Sequence, residues 1–187
     1  MGSNPTSSAS SVPATGRWHL PVAGPSADPR ADTMLSPPDH DDEALMRLAL
    51  AEAGAASAHG DVPVGAVVAV KGEVVARRHN ERERLTDPTA HAEILALRDA
   101  AAALGTWRLD AATMVVTLEP CPMCAGALVA SRLARLVFGA TDPKAGAVGS
   151  LYQLCGDPRL NHEVAVTGGV LEEAAGALLS TFFGTRR

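Results

Sequence analysis

Met114-Val-Val-Thr-Leu118 runs directly into Glu119-Pro-Cys121-Pro-Met-Cys124-Ala-Gly-Ala-Leu-Val-Ala-Ser131, and Leu136-Val-Phe-Gly139 follows. The first five residues are almost uninterruptedly apolar or β-branched, which suits a strand covered on both faces. The stretch beyond Pro120 is built of helix-compatible residues, and the next apolar run is again of strand length. A strand–helix–strand step of this kind makes a right-handed parallel crossover in an α/β sheet. Cys121 and Cys124 stand three apart at the start of the helix, so both thiols face one way. A helix N-terminus also favours thiolate over thiol.

A second stretch, Asp87-Pro88-Thr89-Ala90-His91-Ala92-Glu93, lies thirty residues upstream and opens another helix. Asp87 or Thr89 can cap it, and Pro88 suits its first turn. Ile94, Leu97, Ala101 and Leu104 then recur at helical spacing, and Gly105 stops the run. One imidazole and two thiolates, His91, Cys121 and Cys124, supply three ligands for a zinc ion and leave the fourth tetrahedral position open, the mark of a catalytic rather than a structural zinc. Such an ion lowers the pKa of water to about 7. Glu93 is then the acid/base beside that water and not a ligand. The alternatives are a fourth ligand from Cys155, a redox-active Cys-x-x-Cys pair, or a capping role for His91. The first two leave Glu93 without a purpose, and a redox pair does not need His91-Ala-Glu93.

Further out, Leu45, Leu48, Ala49 and Glu52 follow the acidic Asp41-Asp42-Glu43, which predicts an amphipathic helix ending near Gly60. Val62-Pro-Val64 leads into Gly65–Val70, and Val74-Val-Ala76 follows Lys71-Gly72, a β-hairpin whose two strands are both expected to be covered on both faces. Arg77–Asp87 is polar and reads as a loop or strand end. Within it Asn80 is either a turn residue or an amide able to read a purine edge. Thr141–Ser150 is a Gly- and Ala-rich loop carrying Asp142 and Lys144. Val164–Thr167 is a short last strand, and Leu171–Phe183 a final helix. Its Phe182 and Phe183 cannot both face one core, so one belongs to an exposed or interface surface, either a dimer contact or a platform for an unpaired base.

Residues 1–38 are rich in Ser, Pro, Ala, Gly and Thr without hydrophobic period. They are expected to be a disordered extension, and 39–187 the folded domain. The Met1-Gly-Ser-Asn-Pro-Thr6 match to a myristoylation pattern has no second membrane signal beside it, and Met34 is a candidate start. The chain has 187 residues, 47 % of them hydrophobic and 20 % charged, with only two Trp, one Tyr and three Phe, so its core is built of Ala, Val and Leu. No apolar run approaches the ~20 residues of a membrane helix. An odd count of three cysteines, two of them in Cys-x-x-Cys, points to a reducing, cytoplasmic compartment. The net charge of −5 restricts any nucleic-acid footprint to local basic spots such as Lys71–Arg84 and Arg186-Arg187.

From about Asp41 onward the chain resembles the bacterial tRNA-specific adenosine deaminases of the cytidine-deaminase superfamily. The resemblance is carried by Val62-Pro-Val-Gly65, Asn80, Asp87–Glu93, Thr117–Ala127, Phe138–Gly146, Asn161-His162 and Phe182-Phe183. It implies a three-layer α/β/α sandwich with a five-stranded mixed sheet, a homodimer, and one zinc per subunit held by His91, Cys121 and Cys124. It implies hydrolytic conversion of the wobble adenosine of a tRNA anticodon stem-loop, typically of an arginine tRNA, to inosine. Glu93 would shuttle protons, as in the zinc deaminases generally. Asn80, Val64 and Ala92 would bound the purine, Asp142 and Lys144 would lie at the RNA surface, and Phe182 and Phe183 near a flanking base. Guanine deaminases carry similar catalytic stretches, so a free-base deaminase is the alternative at this stage.

Overall fold

The computed structural model describes residues 40–185. The disordered extension over 1–38, the start at Met34, the myristoylation pattern and the Arg186-Arg187 spot lie outside the described residues. In chain order the elements are α1 (His40–Ser57), β1 (Gly65–Val70), β2 (Glu73–His79), α2 (Arg82–Leu85), α3 (Ala92–Leu104), β3 (Ala112–Leu118), α4 (Pro122–Ala130), β4 (Arg135–Ala140), β5 (Ala165–Thr167) and α5 (Glu172–Gly184). One five-stranded sheet has the order β2-β1-β3-β4-β5. β1 runs antiparallel to both neighbours, whereas β3, β4 and β5 are parallel. The β1–β2 turn is Lys71-Gly72 with φ of +52° and +82°, the left-handed pair that a tight hairpin requires.

The two-residue period of a strand sorts the core into two faces. Val67, Val115 and Val137 are registered side by side across β1, β3 and β4. They pack with Met46 and Ala49 of α1 and with Val170 just before α5. The alternate row, Val68, Met114, Leu136 and Val166, packs with Ala92, Ala96 and Ala100 of α3 and Leu128 of α4. Each such Val or Leu contributes about 1.5–3 kcal/mol by full burial. The result is α/β/α: α1 and α5 on one face, α3 and α4 on the other. The backbone of α1 lies directly on β1, since a Cβ at Gly65 would come within 2.0 Å of the Ala49 carbonyl oxygen.

Three local expectations change. The most buried stripe of α1 is Asp42, Met46, Ala49, Ala53 and Ala56, while Leu45 and Leu48 only flank it; an Ala-rich helix offers several similar faces, and close approach selects the one with the smallest side chains. β2 is an edge strand with Glu73 and Val74 exposed, not one covered on both faces. Arg77–Asp87 does hold a strand end, that of β2, but also the single helical turn α2, which was not expected.

Candidate active site

Asp87 and Pro88 do not open α3. The Asp87 carboxylate instead accepts from the Thr89 N–H at 2.8 Å and the Thr89 hydroxyl at 2.7 Å, closing a local turn. The helix begins at Ala92, with His91 as N-cap in extended conformation. Cys121 likewise caps α4 in extended conformation, with Pro122 in the first turn. An extended N-cap swings its side chain off the helix cylinder. The two helix N-termini thereby bring His91 and Cys121 together.

His91 Nδ1 lies 3.7 Å from Cys121 Sγ and 3.5 Å from Cys124 Sγ. A tetrahedral zinc with bonds of about 2.05 Å to nitrogen and 2.3 Å to sulfur would separate such a pair by about 3.6 Å. The donor set and its spacing therefore fit a tetrahedral zinc, and among the described residues no fourth His, Cys, Asp or Glu joins the cluster. Cys155 is buried elsewhere in the core, its thiol pushed up to about 12 by burial, so it does not close the site. The Cys121 thiol is held down to about 3, first by its hydrogen bond with Cys124 and then, against burial, by His91. His91 is raised, chiefly through its hydrogen bond with Cys121. Cys124 is raised by the adjacent Cys121 and by burial.

Glu93 stands in the first turn of α3, 4 % exposed. Burial raises its carboxyl above the ordinary range, because the charged form loses its solvation there. It faces a cavity of about 150 Å³ whose wall includes His91, Cys121, Val64, Asn80, Arg82 and Asp142. Asn80, 6 % exposed, is held by its own N–H donating to the Val64 carbonyl at 2.9 Å. An adjoining groove of about 740 Å³ shares Val62, Leu118 and Asp142 with the cavity and extends past Lys144 to Leu179 and Phe183.

The structure thus gathers Glu93, His91, Cys121, Val64, Asn80 and Asp142 around one hollow, with Cys124 completing the ligand cluster and Lys144 and Phe183 along its extension. Ala92 is fully buried in the core beneath the cavity instead of on its wall. Phe182 turns the other way: it is 8 % exposed and borders a separate hollow with Ser57 and Leu178, whereas Phe183 is 52 % exposed. Sequence reasoning missed Arg82 and Val62 on the walls. It also passed over Glu119, whose carboxylate accepts from the N–H groups of Asp142, Val148, Gly149 and Ser150 and from the Ser150 hydroxyl. A charged residue between an apolar strand and Pro-Cys was the available signal.

A mixed five-stranded α/β/α sandwich with a His/Cys/Cys cluster at two helix N-termini and a buried glutamate beside it defines a hydrolytic deaminase. Comparison with known proteins narrows the class. A family model of MafB19-like deaminases matches residues 40–182. A tRNA-specific adenosine deaminase of Bacillus subtilis is 54 % identical over 142 residues, covering 76 % of this chain and 88 % of that protein. A solved structure from a study of A-to-I editing by tRNA:A34 deaminases superposes with a TM-score of 0.71 at 45 % identity, over 73 % of this chain and 99 % of that one. A guanine deaminase from Nitrosomonas europaea gives a TM-score of 0.67 at 29 % identity, over 89 % and 97 %. The chain belongs to the MafB19-like deaminase family, and within it to the tRNA-specific adenosine deaminases.

Proposed function

We propose that this protein hydrolyses the wobble adenosine of a tRNA anticodon loop to inosine, releasing ammonia. The observation that carries the reading is the 54 % identity to the Bacillus subtilis enzyme over nearly the whole deaminase region. Similarity to the guanine deaminase is much lower, 29 %, so free guanine is the weaker reading. The groove beside the cavity supports an extended substrate, because a free base would need only the inner hollow.

His91, Cys121 and Cys124 would hold a zinc ion, which supplies Lewis acidity and lowers the pKa of a water it binds. Glu93, its carboxyl raised by burial, takes one proton from the attacking water and delivers it to the purine ring nitrogen, then carries a second, from the hydroxyl newly bonded to the ring carbon, to the amine, which leaves as ammonia. Asn80 offers an amide with both a donor and an acceptor to the purine edge. Val64 packs against the ring. Asp142 and Lys144 lie where the flanking backbone would pass, and Phe183 offers a face for a neighbouring base. A loop nucleotide suits such a site, because an unpaired base costs little to extrude. Arginine tRNA as substrate, a homodimer as the working form and a cytoplasmic setting complete the proposal; no described helix is long and apolar enough to cross a membrane.

The test is incubation with an anticodon stem-loop carrying a wobble adenosine and, separately, with guanine. Inosine in the RNA is expected. Ammonia from guanine with no inosine in the RNA would overturn the proposal.

A further inference from the structure

A second group of side chains able to hold a metal ion joins the two chain neighbours of Asn80, His79 and Glu81, with His59. His59, in the α1–β1 connection, and His79, the last residue of β2, face each other with Nε2 atoms 3.1 Å apart. The hairpin register explains the meeting: Gly65 pairs with His79, so the end of β2 lies beside the chain entering β1. Each outer nitrogen is held by a carboxylate. His59 Nδ1 is 3.0 Å from Asp61 Oδ2, and His79 Nδ1 is 3.0 Å from Glu52 Oε2. A third donor, Glu81 Oε1, stands 3.9 Å from His79 Nε2. One ligand atom from each of His59, His79 and Glu81 lies within 4.8 Å of the other two.

The protonation logic is restrictive. Ionised carboxylates only accept hydrogen bonds, so both Nδ1 atoms must carry hydrogen. In neutral rings both Nε2 atoms then carry bare lone pairs, and these point at each other. Two lone pairs at 3.1 Å repel unless a cation stands between them. A shared proton satisfies that demand minimally. A metal ion satisfies it too and recruits Glu81. Imidazole held through its other nitrogen by a carboxylate is also the arrangement that orients and strengthens a histidine ligand.

We propose that His59, His79 and Glu81 form a second site for a divalent transition-metal ion of the zinc type. Two nitrogens at about 2.05 Å from a tetrahedral ion lie about 3.3 Å apart, close to the 3.1 Å seen here. Glu81, 3.9 Å from His79 Nε2, must move in toward the imidazoles. It is buried and ion-paired with Arg84 at 2.8 Å and Arg78 at 3.0 Å. Arg84 is half exposed and can yield. The surrounding charges are Glu52, Asp61 and Glu81 against Arg77, which lies 3.6 Å from Glu52, with Arg78 and Arg84. They balance, so binding rests on the imidazoles and not on a negative field. The ion would tie the α1–β1 connection to the β2–α2 connection on both sides of Asn80 and so hold the amide that faces the cavity.

The test is zinc stoichiometry of the full chain after equilibration with micromolar Zn²⁺ and gel filtration. It is read together with long-range ¹H–¹⁵N NMR spectra of the histidine rings. Two equivalents per chain are expected, with the second shifting the Nε2 signals of His59 and His79. His59→Gln and His79→Gln should each keep the equivalent at Cys121 and Cys124 and weaken the other at least tenfold. A single equivalent in the wild-type chain means a shared proton only and overturns the proposal. So does a second equivalent that leaves both Nε2 signals unmoved, a readout that does not depend on either variant folding.

Discussion

Replacing Glu119 by Gln should loosen the 142–150 loop without unfolding the domain. Oε1 of Glu119 accepts from the N–H groups of Val148, Gly149 and Ser150 at 3.1, 2.9 and 2.9 Å, and Oε2 accepts from the Asp142 N–H at 3.0 Å and from the Ser150 hydroxyl. Gln has one carbonyl oxygen. Placed at the Oε1 position it keeps three bonds but loses their charge assistance, about 1 kcal/mol each. Its NH₂ then meets the Asp142 N–H, leaving a donor unsatisfied at about 1–3 kcal/mol. The Ser150 hydroxyl can rotate to accept and loses little. The sum is about 4–6 kcal/mol, and the loop escapes it by opening locally, so the penalty is capped at the opening free energy. Global stability should therefore fall by no more than a few kcal/mol. Amide exchange at Asp142 and Val148–Ser150 should speed up by about 10³, the equivalent of about 4 kcal/mol. Since Asp142 and Lys144 ride on this loop, KM for the anticodon stem-loop should rise about tenfold or more while bound zinc stays constant. Gly146→Ala is an independent arm, because its Cβ would lie 2.3 Å from Glu119 Oε2 and displace the same carboxylate. Combined, the two changes should be less than additive. Unchanged exchange rates and KM in Glu119→Gln would refute the reasoning.

Other consequences can be checked with standard assays. Glu93→Gln should keep the fold and the zinc yet form inosine about 10²–10⁴-fold more slowly; a variant retaining a tenth of the wild-type rate would remove Glu93 from the proton path. Asp42→Ala should cost about 2–3 kcal/mol in urea unfolding. Its carboxylate is buried and makes two bonds, of 2.6 and 2.7 Å, to Arg135, but the Arg135 side chain keeps some solvent contact, which trims the ~3–5 kcal/mol of a fully buried pair. An unchanged midpoint would contradict this. Asp61 accepts from the Glu83 and Arg84 N–H groups at the start of α2; burial works against it, but those bonds and His59 hold its carboxyl below the ordinary 3.8. Its stabilisation is present above the unfolded value and is lost as pH falls through the folded one. The stability advantage of wild type over Asp61→Asn should therefore hold at pH 5 and shrink below about pH 3.8; an advantage constant to pH 2.5 would contradict it.

How far a residue's role was legible depended on how far away its partner lay in the chain. Val67, Val115 and Val137 announced buried strands because their neighbours along the chain already show the pattern, and the Lys71-Gly72 turn needs nothing beyond itself. The His91, Cys121 and Cys124 cluster was equally legible, since Cys121 and Cys124 sit on one helical turn and His91 stands in an unusual pattern of its own. Errors began where a local signal had two possible partners. Asp87 looked like a helix cap, but its carboxylate found Thr89 two residues on before any helix N–H. Val74-Val75 looked like core because apolar content does not reveal whether a strand is central or at an edge; the order β2-β1-β3-β4-β5 decides that, and the order is set by all the strands at once. Phe182 and Phe183 were legible as a pair that must split, but which one turns inward depends on the packing of α5 against the sheet. Glu119 and His79 mark the far end of this scale. Glu119 draws on donors 23 to 31 residues away, and His79 meets His59 across 20. Neither partnership has a local pattern, because each exists only once the chain has returned on itself. A polar residue in an apolar setting is the one trace such a contact leaves in a sequence: it shows that a partner must exist and leaves the partner to be found in the fold.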